Sequence, residues 1–483
     1  MLSKTQPSVH VAEVDPDLPL LAGSAGAALA RSIDAVLREV HFDQVNHDLR
    51  LPCYGGDYTI RPFPLPASPV DTHEMKRRLR EAVKASRHSS EAALARRIQQ
   101  GFAFFMFGDA LTPEALAQLF GPQRGACVDQ GFALGLFIRG PGQTVRMNGL
   151  SLFSKQLRGG AVVRAFADTP PHFATRLAEL RVYVGADSYE LMERVSARGA
   201  ITGTCVEMGS GSGVQLIAAL KQCPGLVRAI GVERDRRARH VSRFNAALNA
   251  VDDRMVIVDT DDELSQRLDG QQISFAMTNP PFLAMPEWIE IDADDRAFFS
   301  GLTGVRTRDR AIEADLRTLM PAAGWGGDDG CAVTRQFIDA LAPHLAADGE
   351  VIVYSQFAGD ADGPTALAQY VRERGGFRLT FEPAASRVLS PAASAAGAVA
   401  SPGRPRLSAV EAAASAARLI VAALLARDQP RRLRISVRAD GPEHAVMLRC
   451  ARRLEDSYRR QQITHFHDGV AVLARRGESA KEH

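Results

Sequence analysis

Between residues 204 and 354, short apolar runs alternate with amphipathic stretches. Thr204-Cys205-Val206-Glu207-Met208 is the first run, and Val227 to Val232, Met255 to Val258, Ile273 to Met277 and Glu350 to Tyr354 follow. Helical spacing separates them, over Ser212 to Leu220, over a stretch ending at Asn249, and in a helix containing Ala340 to Leu345. This alternation predicts an α/β fold, a mostly parallel sheet with helices on both faces. Open sheets of that kind bind ligands beyond the carboxyl ends of their strands, so functional residues are expected there.

The rest of the 483 residues is arranged around this core. Residues 1–20 read as a loose polar tail and 21–178 as a mainly helical region. There, Leu116, Leu119 and Phe120 keep helical spacing after the start signal Thr112-Pro113-Glu114. Glu91 to Phe107 reads as another helix and Thr144 to Leu152 as a short strand. Residues 179–383 form the expected core, and the Ala/Ser/Pro-rich stretch 384–416 reads as an insertion or linker. Residues 417–483 then give an apolar helix at Leu419 to Leu425, a strand at Leu433 to Val437 and an amphipathic helix from Glu443 to Arg460. Closing strands are expected over Ile463 to Ala474.

Charge and cysteine usage narrow the function classes. Lys plus Arg is 58 and Asp plus Glu is 56, a net charge of +2 that offers no whole-chain grip on nucleic acid. Six Cys without a CxxC pair argue against a zinc ribbon and a disulfide scaffold. No run reaches the roughly 18 apolar residues of a membrane span, and the N-terminus lacks a signal peptide's basic-then-apolar order. A soluble, cytoplasmic protein is expected.

Glu207-Met208-Gly209-Ser210-Gly211-Ser212-Gly213 ends the first run and opens a helix. Glycines permit a tight turn and a close ligand approach. The spacing is not the GxGxxG dinucleotide fingerprint, whose pyrophosphate an acidic neighbour would repel. Glu207 at the strand end instead expects a ligand with a cationic group. S-adenosylmethionine, with its ammonium and sulfonium, fits; a purely structural turn is the alternative.

The second run ends in Glu233-Arg234-Asp235. An acid at this place can accept from both hydroxyls of a ribose, and Glu233 is the candidate. The alternative is that Glu233 and Asp235 cap the next helix and balance Arg236 and Arg237. After the third run, Asp259 or Asp261 is placed to meet the adenine amine. Asp261 is preferred, against the alternative of a solvated loop charge.

Thr278-Asn279-Pro280-Pro281-Phe282 follows the fourth run. Two prolines stiffen the turn and remove two donors, which frees carbonyls to accept. Asn279 adds a side-chain carbonyl, so Asn279 and the Pro280 carbonyl form converging acceptors for a planar NH2 group. Phe282 offers a face for a flat substrate. An amide or aromatic amine is a poor nucleophile, and holding its N–H groups turns the lone pair toward a methyl donor. A plain capping turn is the alternative.

Taken together, these residues resemble a class I S-adenosylmethionine-dependent methyltransferase of the Asn-Pro-Pro-Phe/Tyr group. That group includes release-factor glutamine N5-methyltransferases, ribosomal RNA guanine N2-methyltransferases and adenine N6-methyltransferases. The likeness spans about residues 180–380. Glu207, Gly209, Ser210, Gly211 and Gly213 fall on its first motif, Glu233 on its ribose acid, and Asn279 to Phe282 on its substrate motif. Tyr183-Val184-Gly185-Ala186-Asp187-Ser188 is similar to the segment that packs on the cofactor in this group, so Tyr183 and Asp187 join the implied cofactor residues. Arg243 to Asn249 is similar to the helix after its second motif, and Gly324 to Gly330 to its later glycine-rich segment. The resemblance implies a seven-stranded, mostly parallel, Rossmann-like methyltransferase sheet behind the N-terminal region. The chain departs from the group in its long N-terminal region without a recognisable RNA-binding module, in Met285 to Ala323, and in 384–460.

Several features take bland readings. His465 and His467 share a strand face without a third metal ligand at useful spacing, and Asp468-Gly469 reads as a turn. The run Arg234, Arg236, Arg237, Arg239, Arg243 reads as a solvated helix face, with an RNA or acidic-protein contact as the alternative, and Cys205 as a core residue. Trp325 is assigned equally to substrate pocket and packing. The leading function is N-methylation of a planar amide or amine nitrogen in a protein glutamine or small metabolite. Base methylation of ribosomal RNA, O-methylation of a small molecule, an NAD-dependent dehydrogenase and a non-catalytic interaction protein are the alternatives.

Overall fold

The computed structural model describes residues 15–49, 81, 92–121, 124–169, 181–198, 201–282, 284, 325–384, 406–408 and 442–476. Most of the expected tail, all of Met285 to Ala323, most of 384–416, the helix at Leu419 to Leu425 and the strand at Leu433 to Val437 lie outside these residues.

The first part of the chain contains α1 (Ser24–Glu39), α2 (Phe42–Leu49), α3 (Ala92–Gly101), α4 (Pro113–Phe120) and α5 (Arg124–Ala133). Helix α1 buries Leu29, Ile33, Val36 and Leu37, one stripe at helical spacing. Helix α4 starts as expected: Ala115 donates to the Thr112 hydroxyl at 3.3 Å and Pro113 occupies the first turn. Helix α3 passes into a π-helical turn over Phe102–Met106. The region also contains β1 (Phe137–Arg139), β2 (Val145–Met147), β3 (Leu150–Gln156) and β4 (Val162–Asp168). The expected strand Thr144 to Leu152 is therefore two strands, divided at Gly149, whose φ is 69°. Strands β3 and β4 form an antiparallel hairpin.

The expected core strands appear as β5 (Gly203–Met208), β6 (Leu226–Val232), β7 (Met255–Val258), β8 (Ile273–Thr278) and β9 (Leu345–Gly359). They are all parallel, with β10 (Phe377–Pro383), β11 (Arg406–Ser408) and β12 (His465–Arg475) added at one side. The order is β10-β12-β9-β8-β5-β6-β7, and β11 pairs the start of β12. This is the seven-stranded, mostly parallel Rossmann-like sheet. Strand β12 runs antiparallel to β9 and β10, so its start lies at the edge where the parallel strands end.

Helices cover both faces: α6 (Ala186–Arg198), α7 (Val214–Gln222), α8 (Arg236–Leu248), α9 (Asp261–Leu268), α10 (Ala332–Leu341), α11 (Thr365–Arg374) and α12 (Pro442–Arg460). Alternate strand residues serve opposite cores. Cys205, Phe275, Met277, Ile352 and Tyr354 pack with Leu191 of α6, Leu216 of α7 and Phe244 of α8. Val206, Met208, Ala276 and Val353 pack with Leu264, Ile338 and Leu367 of α9, α10 and α11. The first core continues through Phe166 of β4 to Leu29 and Ile33 of α1. Each such side chain contributes about 1.5–3 kcal/mol on burial.

Four readings are corrected. Pro343 lacks a donor and ends the helix expected through Leu345, which opens β9 instead. Ser212 stays in the loop, because Gly213 is left-handed (φ 78°) and α7 starts after it. Asp468-Gly469 is no turn but lies within β12. The glycine serves close packing there: a Cβ on Gly469 would come 2.5 Å from the Glu382 carbonyl oxygen and 2.7 Å from the Phe381 ring. The arginine run is solvated only in part: Arg234, Arg236 and Arg243 are exposed, whereas Arg237 is buried and Arg239 half-buried. Arg237 is buried against Asp168 at 2.8 Å, Arg239 donates to the Glu233 carbonyl at 3.0 Å and Arg243 to the Ile257 carbonyl at 2.7 Å.

Candidate functional site

The chain turns from β5 to β6 and β7 on one side, then returns to β8 on the other. This switch leaves a crevice between the ends of β5 and β8, which are paired at Met208 and Thr278. The Thr278 hydroxyl donates to the Met208 carbonyl at 2.9 Å and ties the two ends together. The glycine loop and the Asn-Pro-Pro-Phe turn are therefore neighbours, although 66 residues separate Gly213 from Asn279 (279 − 213).

Gly209, Gly211 and Gly213 have φ of 67°, 52° and 78°, backbone that other residues adopt only under strain. At Gly213 space adds to strain: a Cβ would come 2.3 Å from the Ser242 hydroxyl oxygen and 2.6 Å from the Met255 methyl carbon. Gly209 and Ser210 donate to the Val232 carbonyl at 2.8 and 3.1 Å, and Gly211 donates to Glu233 Oε2 at 2.7 Å. Glu233 Oε1 accepts from Asp235 N at 2.8 Å. Glu233 thus clasps the loop, and the cap of α8 is Asp235, whose Oδ1 accepts from Ala238 N at 2.9 Å. Burial pushes the Glu233 carboxyl up, and the two N–H donors pull it partly back.

Glu207 lies beneath this loop, fully buried. Neither carboxylate oxygen has a hydrogen bond of normal geometry. Burial, and then the nearby Glu233 charge, hold its carboxyl well above the usual range, which the backbone N–H of Leu216 offsets only in part. A buried carboxylate so poorly hydrogen-bonded is costly, and a cation delivered over the glycine loop removes that cost.

Asp187 stands in the first turn of α6 and is buried. Its Oδ2 accepts from Asn279 Nδ2 at 3.0 Å, and Asn279 Oδ1 is buried without a partner. Burial raises the Asp187 carboxyl, and the Asn279 hydrogen bond offsets part of the rise, as does the Tyr183 hydroxyl. That hydroxyl sits over Gly185, where a Cβ would lie 1.8 Å from it and 2.8 Å from Asp187 Oδ1.

Pro280 is buried and Phe282 half-buried. The glycine-rich segment after Trp325 packs on this turn: a Cβ on Gly326 would come 2.7 Å from Phe282 Cα, and one on Gly330 2.5 Å from the Phe282 carbonyl oxygen. Tyr458 of α12 donates to the Ala284 carbonyl at 2.5 Å from the other side. Asp261 is exposed and opens α9 behind the Thr260 cap, where an acidic first turn suits the helix dipole.

Sequence reasoning missed Asp468. The start of β12 carries it, buried, to the rim opposite Gln356, whose Nε2 donates to its Oδ1 at 3.3 Å. Burial pushes this carboxyl up to about 8, with a smaller push from Asp187. Its cue, Asp before Gly, also marks turns, and only the strand pairing separates the two. Phe337 of α10 was missed as well; its ring lies 3.3 Å from where a Gly209 Cβ would stand. His467 Nε2 pairs with the Asp360 carbonyl at 2.8 Å. Among the described residues no helix is long and apolar enough to cross a membrane.

Residues 184–290 match the family model of the methyltransferase small domain. The chain carries a methyltransferase domain. The match contains the glycine loop, Glu207, Glu233 and Asn279, so the crevice belongs to the methyltransferase domain. No curated protein matches the chain. Among solved structures, it is similar to a precorrin-6y C5,15-methyltransferase of Geobacter metallireducens at 10% identity. That match covers 43% of this chain and 80% of the other, with a TM-score of 0.25. A ribosomal protein L11 methylase of Lactobacillus delbrueckii subsp. bulgaricus matches at 17% identity over 42% and 75% of the two chains (TM-score 0.27). A tRNA methyltransferase of M. jannaschii matches at 12% over 49% and 53% (TM-score 0.28). Such distant likenesses carry no argument about the acceptor of this methyltransferase domain.

Proposed function

We propose that the protein is an S-adenosylmethionine-dependent N-methyltransferase acting in the cytoplasm on a planar amide or amine nitrogen, in a protein glutamine or a small metabolite. The observation that carries this is the orientation of Asn279: its NH2 is occupied by Asp187, and its carbonyl oxygen is buried without a partner beside the glycine loop.

The residues present fit the cofactor. Glu207 supplies a buried carboxylate without a hydrogen bond of normal geometry for an ammonium, and nothing lies within 4 Å of a Cβ on Gly211, so the loop leaves room above its backbone. Glu233 holds the loop and has lone pairs left for ribose hydroxyls. Tyr183, Asp187, Gly209, Ser210, Gly213 and Asp261 complete the proposed cofactor residues, although the exposed Asp261 is the most peripheral. When bound, S-adenosylmethionine supplies an electrophilic methyl on a sulfonium.

Asn279 Oδ1 and the Pro280 carbonyl accept the two N–H groups of the acceptor, and Phe282 stacks on its plane. This turns the nitrogen lone pair out of conjugation, toward the methyl. The N–C bond forms as the S–C bond breaks, and the nitrogen proton leaves afterwards, so no base need act first. Orientation of this kind supplies several kcal/mol, with an upper limit of about 7–11. A near-neutral chain (+2) favours a protein or metabolite acceptor over ribosomal RNA.

The test is incubation with labelled methyl donor and fractionated cell extract. Label in a protein amide or a small-molecule amine is expected, and it should be absent with Asn279→Ala. Label in RNA alone, or on oxygen, overturns the acceptor assignment.

A further inference from the structure

Helix α8 carries Asn245 and ends at the capping Asn249 one turn later, and both face strand β4. Asn245 Oδ1 accepts from Phe166 N at 2.7 Å, and its Nδ2 donates to the Phe166 carbonyl at 2.9 Å. Asn249 Oδ1 accepts from Arg164 N at 3.1 Å, and its Nδ2 donates to the Arg164 carbonyl at 2.6 Å. Four residues of helix advance about 6 Å and two residues of strand about 6.6 Å. The two amides therefore match alternate residues of the strand and stand in for a partner strand along the β4 edge that β3 leaves open.

They differ in their third contact. Asn249 Nδ2 donates to the Asn245 carbonyl of its own helix at 2.8 Å. Asn245 Nδ2 donates at 2.9 Å to the carbonyl of Ser212, inside the glycine loop. Ser242, one turn earlier, packs against Gly213 from the same face of α8. Asn245 is fully buried and spends both N–H groups and its oxygen on fixed backbone atoms. Only a short amide meets all three contacts: Asp has no donor, and Gln is one methylene too long.

We infer that Asn245 is a positioning residue that sets the Ser212–Gly213 end of the loop and thereby makes β4, from the N-terminal region, a support of the cofactor site. The inference rests on the reading of the glycine loop as that site. It gives the N-terminal region a role in cofactor binding that is independent of any acceptor it recruits.

The experiment uses the full chain and compares wild type, Asn245→Asp and Asn249→Asp. Both variants lose two donations, and both are expected to melt earlier. Only Asn245→Asp should speed backbone hydrogen exchange across residues 209–214, by about tenfold or more. Only it should weaken uptake of S-adenosylhomocysteine in calorimetry, by about tenfold. Equal effects of the two variants on loop exchange and affinity, or an unchanged loop in Asn245→Asp, overturn the inference. Should Asn245→Asp not fold, wild type decides through linkage. Saturating S-adenosylhomocysteine should slow exchange in β4 at Phe166, and unchanged exchange there overturns the inference. A wild type that takes up no S-adenosylhomocysteine sinks the cofactor reading, and loop exchange in Asn245→Asp, or in Asn245→Ala, still judges Asn245.

Discussion

Asn279 Nδ2 donates to Asp187 Oδ2 at 3.0 Å, across the gap between the end of β8 and the start of α6. An ionised carboxylate only accepts, so the contact fixes which end of the amide faces Asp187. The other end, Oδ1, is left as an acceptor in the crevice. A segment just before the first core strand thus decides which end of Asn279 is free in the Asn-Pro-Pro-Phe turn.

Asn279→Ala should lower turnover by about a hundredfold or more and leave the calorimetric affinity for S-adenosylhomocysteine within about twofold. Equal loss of binding and turnover would move Asn279 out of the acceptor site. Asp187→Asn should lower turnover less, since the new amide can still hold Asn279 in one of its two orientations.

Asp187 also sets a pH dependence. Its folded carboxyl lies above the usual range, and the ionised form is the better acceptor for Asn279 Nδ2. Turnover should therefore fall as pH drops through that raised value, with an acid limb above the ordinary carboxylate range. In Asp187→Asn this limb should vanish from the pH profile of kcat; an unchanged limb assigns it elsewhere.

Glu207→Gln should separate stability from binding. A carboxyl raised on folding destabilises the folded protein once pH exceeds its unfolded value, because the native state then holds the extra proton. The variant should melt higher than wild type near neutral pH, by roughly 2–4 °C, and bind S-adenosylhomocysteine about tenfold more weakly. A lower melting point would mean that Glu207 has a stabilising partner.

Glu233→Ala removes the acceptor of Gly211 N as well as the proposed ribose ligand. Affinity for S-adenosylhomocysteine should drop by tenfold or more, roughly the loss of two hydrogen bonds. Unchanged affinity by calorimetry takes Glu233 out of the site.

Asp468 provides the fifth test. Burial pushes its carboxyl up to about 8 in the folded protein, from about 4 for an aspartate in water. The stability of wild type should fall as pH rises from about 4 to 8 and level off above that, through this group. Asp468→Asn lacks the slope, so the melting difference between the two should change across that window, with the variant gaining as pH rises. A constant difference would show that Asp468 ionises freely.

The five core strands, the order of loops along them and the residues of both motifs were legible because each depends on local pattern: apolar runs of strand length, glycines where φ is positive, prolines where a turn is stiff. What lay beyond local pattern was partnership. Asp468 looked like a turn until β9 paired with β12 across it, and Arg237 looked solvated until Asp168 came beside it. Glu233 was legible as the acid that ends the second strand, but not as the clasp of Gly211. By itself the sequence determined the sheet, the glycine loop and the amide beyond the fourth strand. Only the tertiary structure decided that Asp187 orients that amide and that Asn245 joins β4 to the loop. Hydrogen bonds between residues 79 and 92 positions apart leave no periodic trace in a chain, because they depend on distances that exist only after the sheet has formed.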